Sequence, residues 1–217
     1  MNRRTLLKNS LFSGAALVGA SQMAFAKGLC ELQKTPAQTE GPFYPVVDQV
    51  DKDSDLVVVD GAKSSAAGEI ILIEGVVQDQ FCNPVRNALV EIWQACVTGK
   101  YNHPSDENPA QLDPNFQYWG KAVTNAEGFY RFRTIIPGAY PADKNWIRPP
   151  HIHFKISRRG YVELITQLYF ENEKFNETDL ILQRLSKEDQ KKVIVRLATN
   201  EKTAHPTGIF DINLEKI

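Results

Sequence analysis

The chain has 217 residues, 42% hydrophobic and 24% charged, with a formal net charge of −1 and a pI of about 6.4. That is enough apolar material for one core, and the length is most simply one domain with no second unit or internal repeat. The sequence holds no basic patch, RNP-like run or finger-like cysteine spacing, which argues against nucleic acid as a partner.

The chain begins with a basic run, Asn2-Arg3-Arg4-Thr5-Leu6-Leu7-Lys8. A modest apolar stretch from Leu11 to Ala20 follows and reaches Ala24-Phe25-Ala26, an Ala-x-Ala cleavage signal. The apolar run is too short and too weak to span a bilayer. These features predict a twin-arginine signal peptide over residues 1–26 and export of an already folded, cofactor-loaded protein. The expected location is periplasmic or secreted, with no stable membrane association after cleavage. Removing that segment takes away Arg3, Arg4 and Lys8 and no acid, leaving the mature chain three charges more negative. The three cysteines, Cys30, Cys82 and Cys96, allow one disulfide and one buried thiol in an oxidising compartment, with the pairing open.

Residues 27–68 read as an extended arm and loop. Thr35-Pro36, Gly41-Pro42 and Tyr44-Pro45 each disfavour helix, and a short strand is expected at Leu56–Val59. From residue 69 the pattern turns to β. Strands are expected at Ile70–Val77, Ala88–Cys96, Lys121–Thr124, Gly128–Thr134, His151–Ser157, Tyr161–Phe170 and Phe210–Leu214. Gly99–Gln117 is a long aperiodic loop, and Pro137–Pro150 is turn-rich. Ser186 caps a short helix over Lys187–Leu197, with Glu188 and Asp189 in its first turn. Many short strands and one late helix predict an all-β antiparallel sandwich over residues 69–217.

The chemistry centres on Arg148-Pro149-Pro150-His151-Ile152-His153-Phe154. On a strand, His151 and His153 share one face while Ile152, Phe154 and Ile156 share the other. A lone strand histidine is usually structural. Half of the four histidines on one non-core face point to a metal site. Tyr101, in Gly99-Lys100-Tyr101-Asn102-His103, and Tyr140, in Pro137-Gly138-Ala139-Tyr140-Pro141, flank the central hairpin. Phenolates are hard anionic donors that suit ferric iron when joined to imidazoles, although either tyrosine taken alone reads first as an amphipathic packed loop residue with its hydroxyl paired.

An ordered set of stretches then resembles the intradiol ring-cleavage dioxygenases. It comprises Gln38-Thr39-Glu40-Gly41-Pro42-Phe43-Tyr44-Pro45, Val90-Glu91-Ile92-Trp93-Gln94-Ala95, Leu112-Asp113-Pro114-Asn115-Phe116, and Gly128-Phe129-Tyr130-Arg131-Phe132-Arg133-Thr134. The Arg148–Phe154 run and Thr166-Gln167-Leu168-Tyr169-Phe170 complete it, over most of residues 35–175. The resemblance implies a prealbumin-like sandwich core and a mononuclear non-haem Fe(III) held by Tyr101, Tyr140, His151 and His153. It implies Tyr140 as the phenolate that leaves the metal and takes a proton, and Arg148 as the cation that meets the anionic ring. Gln167 is expected beside the iron in support of the reaction, with Gly41, Pro42 and Tyr169 against the substrate. The implied partners are a small aromatic diol and O2, giving a cis,cis-muconate-type diacid, and a homo-oligomer stays open. Ala142 stands where members acting on protocatechuate often carry tryptophan, which leaves the particular catechol open. Lys100 or Arg133 is a candidate for a substrate carboxylate. A metal-free β-sandwich binding module, an inactive iron-binding relic and a zinc hydrolase using His103 or His205 are the competing readings.

Overall fold

The computed structural model describes residues 34–49, 51–199 and 203–217. The basic start, the cleavage signal and Cys30 lie outside them. Burial alternates without a break along β1 (Ile70–Asp79), as period two requires, and Ile71, Ile73 and Val77 point inward. In chain order β2 (Leu89–Trp93), β3 (Trp119–Val123) and β4 (Phe129–Ile135) follow. Next come β5 (Tyr140–Asp143), β6 (Trp146–Arg148), β7 (His151–Ser157) and β8 (Leu164–Phe170). The helix α1 (Lys187–Val193) leads into β9 (Ile194–Val195) and β10 (Leu197–Ala198), then β11 (Thr207–Ile209) and β12 (Ile212–Leu214).

Two five-stranded sheets form the sandwich. One has β1 paired antiparallel to β4 on one side, with β11 and β12 in tandem along the other; β10 extends it beside β11. The second runs β3-β2-β7-β8-β9. The long pairings are antiparallel, while β1–β11, β1–β12 and β8–β9 are short parallel ones. Ile71, Ile73 and Phe132 of the first sheet meet Val90, Ile92, Ile152, Phe154 and Leu168 of the second in one buried cluster. Phe154 packs edge-on against Phe132 and Phe210, with centroids 6.5 and 5.0 Å away. Gly75 is required where the Phe210 carbonyl crosses β1, because a side chain there would overlap it.

Five expected elements change. Leu56–Val59 is a turn, with only Asp55 bridged to Arg133, although Leu56 and Val57 are fully buried. The carboxylates of Asp53 and Asp55 accept from the backbone N–H two residues on, at 2.8 and 3.2 Å, and so compete with strand pairing. The turn-rich Pro137–Pro150 region holds a hairpin, β5–β6, closed at Lys144-Asn145 with a register shift in β5. The helix keeps its Ser186 cap on the Asp189 N–H but ends at Val193, because Ile194 and Val195 pair with β8. Phe210 and Asp211 separate β11 from β12, Asp211 accepting from the Val76 N–H at 2.9 Å. The expected Ala88–Cys96 strand shortens to Leu89–Trp93.

The arm crosses the outer face of the second sheet. The Gln38 N–H donates to the Ile165 carbonyl at 2.8 Å, and Tyr44 stands edge-on to Trp93 at 5.0 Å. With the loops after β2 and β4 it encloses a second buried cluster of Trp93, Ala95, Tyr101, Trp119 and Tyr140. That cover turns a solvent-type sheet face into an interior.

Candidate metal centre

Register decides which side chains meet. Along β7, Ile152, Phe154 and Ile156 are fully buried in the sandwich core, so His151 and His153 point to the opposite face. There they are 2% exposed, beneath the arm and loops. Their rings lie 4.9 Å apart. Gly99, at φ +80°, approaches the Ala139 carbonyl too closely for a side chain, which brings the Tyr101 loop against Tyr140. The two phenol rings meet edge-on at 5.6 Å. Tyr101 Oη lies 3.3 Å from His151 Nε2, and the Tyr140 ring is 5.7 Å from that of His151. Sequence positions 101, 140, 151 and 153 therefore converge.

Nitrogen roles follow from the hydrogen bonds. His151 Nδ1 is 2.6 Å from the Pro149 carbonyl, which only an N–H can serve, so Nε2 carries the lone pair facing Tyr101. His153 Nδ1 is buried without a hydrogen-bond partner, an uncommon state for a polar atom. Burial and then the Arg148 charge hold both imidazoles well below the ordinary histidine range, so both are neutral donors. Burial raises Tyr101 and Tyr140, with Tyr140 adding to the shift of Tyr101 and Arg148 opposing that of Tyr140. Two phenols that resist ionisation alone, beside two neutral imidazoles, fit a hard, highly charged cation that displaces their protons. Among the described residues no group of three or more His, Cys, Asp and Glu forms. His103 accepts from the Ser105 N–H instead.

Arg148 is 4% exposed. Its backbone pairs with Tyr140 across the β5–β6 hairpin, so arginine and phenol are opposite neighbours. Nη2 donates to Gln167 Oε1 at 2.7 Å and to Tyr169 Oη at 3.4 Å. Tyr169 donates to Gln167 Oε1 at 3.0 Å, and its ring is 6.0 Å from His151. Gln167 Nε2 donates to the Thr39 carbonyl and Gln38 Nε2 to Tyr169, tying the arm to the same group. Nε of Arg148 donates to Asp179, fully buried between two 3-10 turns. Sequence reading missed Asp179, since one aspartate in Asn176-Glu177-Thr178-Asp179 carries no spacing signal.

The arm residues divide. Gly41, at φ +75°, lies against His153, while Pro42 is exposed and the Phe43 ring lies tilted on that of Tyr101, centroids 4.7 Å apart. A cleft of about 360 Å³ opens over Tyr140, lined by Phe43, Ser105–Pro109, Pro141 and Ala142. Phe43 was not singled out from sequence, although it lies in the matched stretch. Neither proposed carboxylate partner faces this cleft. Lys100 Nζ donates to the Asp106 and Asn108 carbonyls, and Arg133 pairs with Asp55 at 3.1 Å. Cys96 is buried with its thiol 3.1 Å from the Thr98 hydroxyl, away from these donors.

Fold and site together define a β-sandwich with a mixed histidine–tyrosine centre under an N-terminal arm. Residues 39–215 match the family described as Dioxygenase. The chain is 41% identical over 179 residues to the protocatechuate 3,4-dioxygenase beta chain of Burkholderia cepacia, covering 80% of this chain and 76% of that one. It is 30% identical over 123 residues to the chlorocatechol 1,2-dioxygenase of Pseudomonas sp. strain P51, of which it spans about half, 47%. The dioxygenase domain of a dioxygenase carbohydrate-binding protein fusion from Streptomyces sp. SirexAA-E superposes with a TM-score of 0.63 at 28% identity, over 85% of this chain and all of that one. This chain belongs to the intradiol ring-cleavage dioxygenases, oxidoreductases that open catechol-type rings.

Proposed function

We propose that this chain uses O2 to open a catechol-type ring between its two hydroxyl-bearing carbons, giving a cis,cis-muconate-type diacid. Both oxygen atoms end in the product, so no external reductant is needed. Tyr101, Tyr140, His151 and His153 would hold a mononuclear non-haem Fe(III). Bound there, the ion supplies Lewis acidity and a template for the diol. The observation that carries the reading is the meeting of two phenols, two neutral imidazoles and a buried guanidinium, of which Tyr140 also lines the cleft.

Each side chain has a part. Tyr140, at the lip of the cleft, takes up a proton that the incoming diol gives up. Arg148 keeps its charge in place to stabilise an anionic ring carbon. Gln167 and Tyr169 hold its Nη2, and Phe43, packed against the Tyr101 ring, lines the cleft beside Tyr140. The described residues lining the cleft include Asp106 and Glu107 and neither lysine nor arginine. That lining favours an uncharged diol over a ring bearing a carboxylate. Export through the twin-arginine route and action outside the cytoplasm belong to the same proposal, on the strength of Arg3, Arg4 and Ala24-Phe25-Ala26.

The test is the visible absorption of the purified, iron-supplied protein, before and after catechol is added without oxygen. A tyrosinate-to-iron(III) band that moves to longer wavelength with catechol, then muconate formation on admitting O2, is expected. A colourless iron-supplied protein refutes the centre. Turnover of protocatechuate above that of catechol refutes the substrate preference.

A further inference from the structure

Arg148 is a charge taken out of water, and such a group is tolerated only when its donors meet acceptors in good geometry. Gln167 Oε1 holds one edge, at Nη2. Nε is held at 2.7 Å by Asp179 Oδ2, and both side chains of this ion pair are almost or fully buried. The same oxygen accepts from Trp146 Nε1 at 3.3 Å. The second carboxylate oxygen, Oδ1, accepts from the Ile181 and Leu182 N–H groups at 3.1 and 2.7 Å. One carboxylate thus fastens the turn at Leu182–Arg184 with one oxygen and aims the guanidinium with the other.

We propose that Asp179 is a positioning residue for ring opening: it fixes the plane of the Arg148 guanidinium between itself and Gln167. The assignment rests on the role of Arg148 proposed above. With Nε and Nη2 both anchored, the guanidinium cannot rotate about its terminal bonds without losing a charge-assisted hydrogen bond. Asparagine cannot replace the carboxylate. If its oxygen serves the two backbone N–H groups, its amide N–H groups face the N–H donors of Arg148 and Trp146. If it turns over, they face the backbone donors instead.

The experiment compares wild type, Asp179→Asn, Arg148→Met and the double variant. It reads kcat, KM, the anaerobic Kd for catechol from the visible band, and thermal stability of the metal-free proteins. Asp179→Asn is expected to lower kcat by about tenfold to a hundredfold, the scale of a misplaced catalytic group, while the anaerobic Kd stays within about threefold. The double variant should match Arg148→Met in kcat and be more stable than Asp179→Asn, because the unpaired buried charge is gone. If Asp179→Asn does not fold, recovery of folded protein in the double variant reads the same coupling, and failure to recover overturns the assignment. Normal kcat in Asp179→Asn with a slow Arg148→Met overturns Asp179 alone. So does a double variant slower than Arg148→Met by the full factor seen in Asp179→Asn. Full turnover by Arg148→Met removes the arginine from the reaction, and this assignment with it.

Discussion

Replacing Gly41 with alanine tests whether the arm shapes the centre or only covers it. Gly41 sits at φ +75°, where an L side chain costs about 1–2 kcal/mol. The added Cβ would lie 3.2 Å from His153 Cε1 and 3.9 Å from Nε2, closer at the first than ordinary carbon contact. His153 is itself stacked on Trp93, with centroids 4.8 Å apart and planes within 11°, so the ring cannot shift by a few tenths of an ångström without disturbing that stack. Gly61 supplies the control, because it has φ +80° and nothing within 4 Å of its added Cβ. Both variants are expected to lose about 1–2 kcal/mol, or roughly 2–8 °C in Tm for a chain of this size. Only Gly41→Ala should also move the tyrosinate band and weaken catechol binding. Differential scanning calorimetry and anaerobic titration read the two effects separately. A Gly41→Ala protein with the wild-type band and Kd, or a Gly61→Ala protein that shares the altered band, refutes the contact argument. Unchanged Tm in both refutes the backbone argument.

Two further outcomes follow from the same geometry. The Tyr130 hydroxyl is buried and donates to the Phe210 carbonyl at 2.5 Å, on the sandwich core far from the cleft. Tyr130→Phe should therefore cost about 1–2 kcal/mol in urea unfolding and leave kcat/KM unchanged, and a loss of turnover without a loss of stability would contradict this division. In the metal-free protein, His151 and His153 titrate below the ordinary histidine range because of burial and Arg148. The unfolded chain then binds more protons than the folded one below about pH 6.5, so stability falls as pH drops from there toward the folded values. The slope approaches about 1.4 kcal/mol per pH unit for each histidine. Urea midpoints between pH 7.5 and 5.5 should show it, and a His151→Asn/His153→Asn protein with the same slope would refute the source.

Wherever one face of an element meets the core, the sequence shows it. Tyr130, Phe132 and Thr134 alternate with Arg131 and Arg133 and that alternation appears as burial, whereas Ile152, Phe154 and Ile156 enter the core and His151 and His153, on the opposite face, are buried by the arm and loops instead. Period two is a local property, so it survives in any context that buries one side of the strand. The β5–β6 hairpin did not show, because Pro137, Pro141 and Pro149 give its segment a turn-like composition. Leu56 and Val57 were read as strand because burial and strand pairing leave the same apolar signature; Leu56 N–H does reach the Arg133 carbonyl, but local carboxylates take the N–H groups of Asp55 and Val57 on either side of it.

The donors of the centre were legible as residue types: a paired imidazole row, two loop tyrosines and an arginine fixed by prolines. Their meeting was not. Residues 101 and 151 are 50 positions apart, and what joins them is the register of β2 against β7 and the close backbone approach of Gly99 to Ala139. Asp179 belongs wholly to the tertiary structure. Nothing in its neighbours marks it, and it reaches Arg148 only because the 3-10 turn at Asn176–Thr178 packs against β6. Sequence alone determined which chemical groups the protein has and which strand faces carry them, since side-chain type and strand period are written residue by residue. The tertiary structure alone decided which groups lie within hydrogen-bond reach in a water-excluded site, because long-range pairing and burial set both distance and protonation.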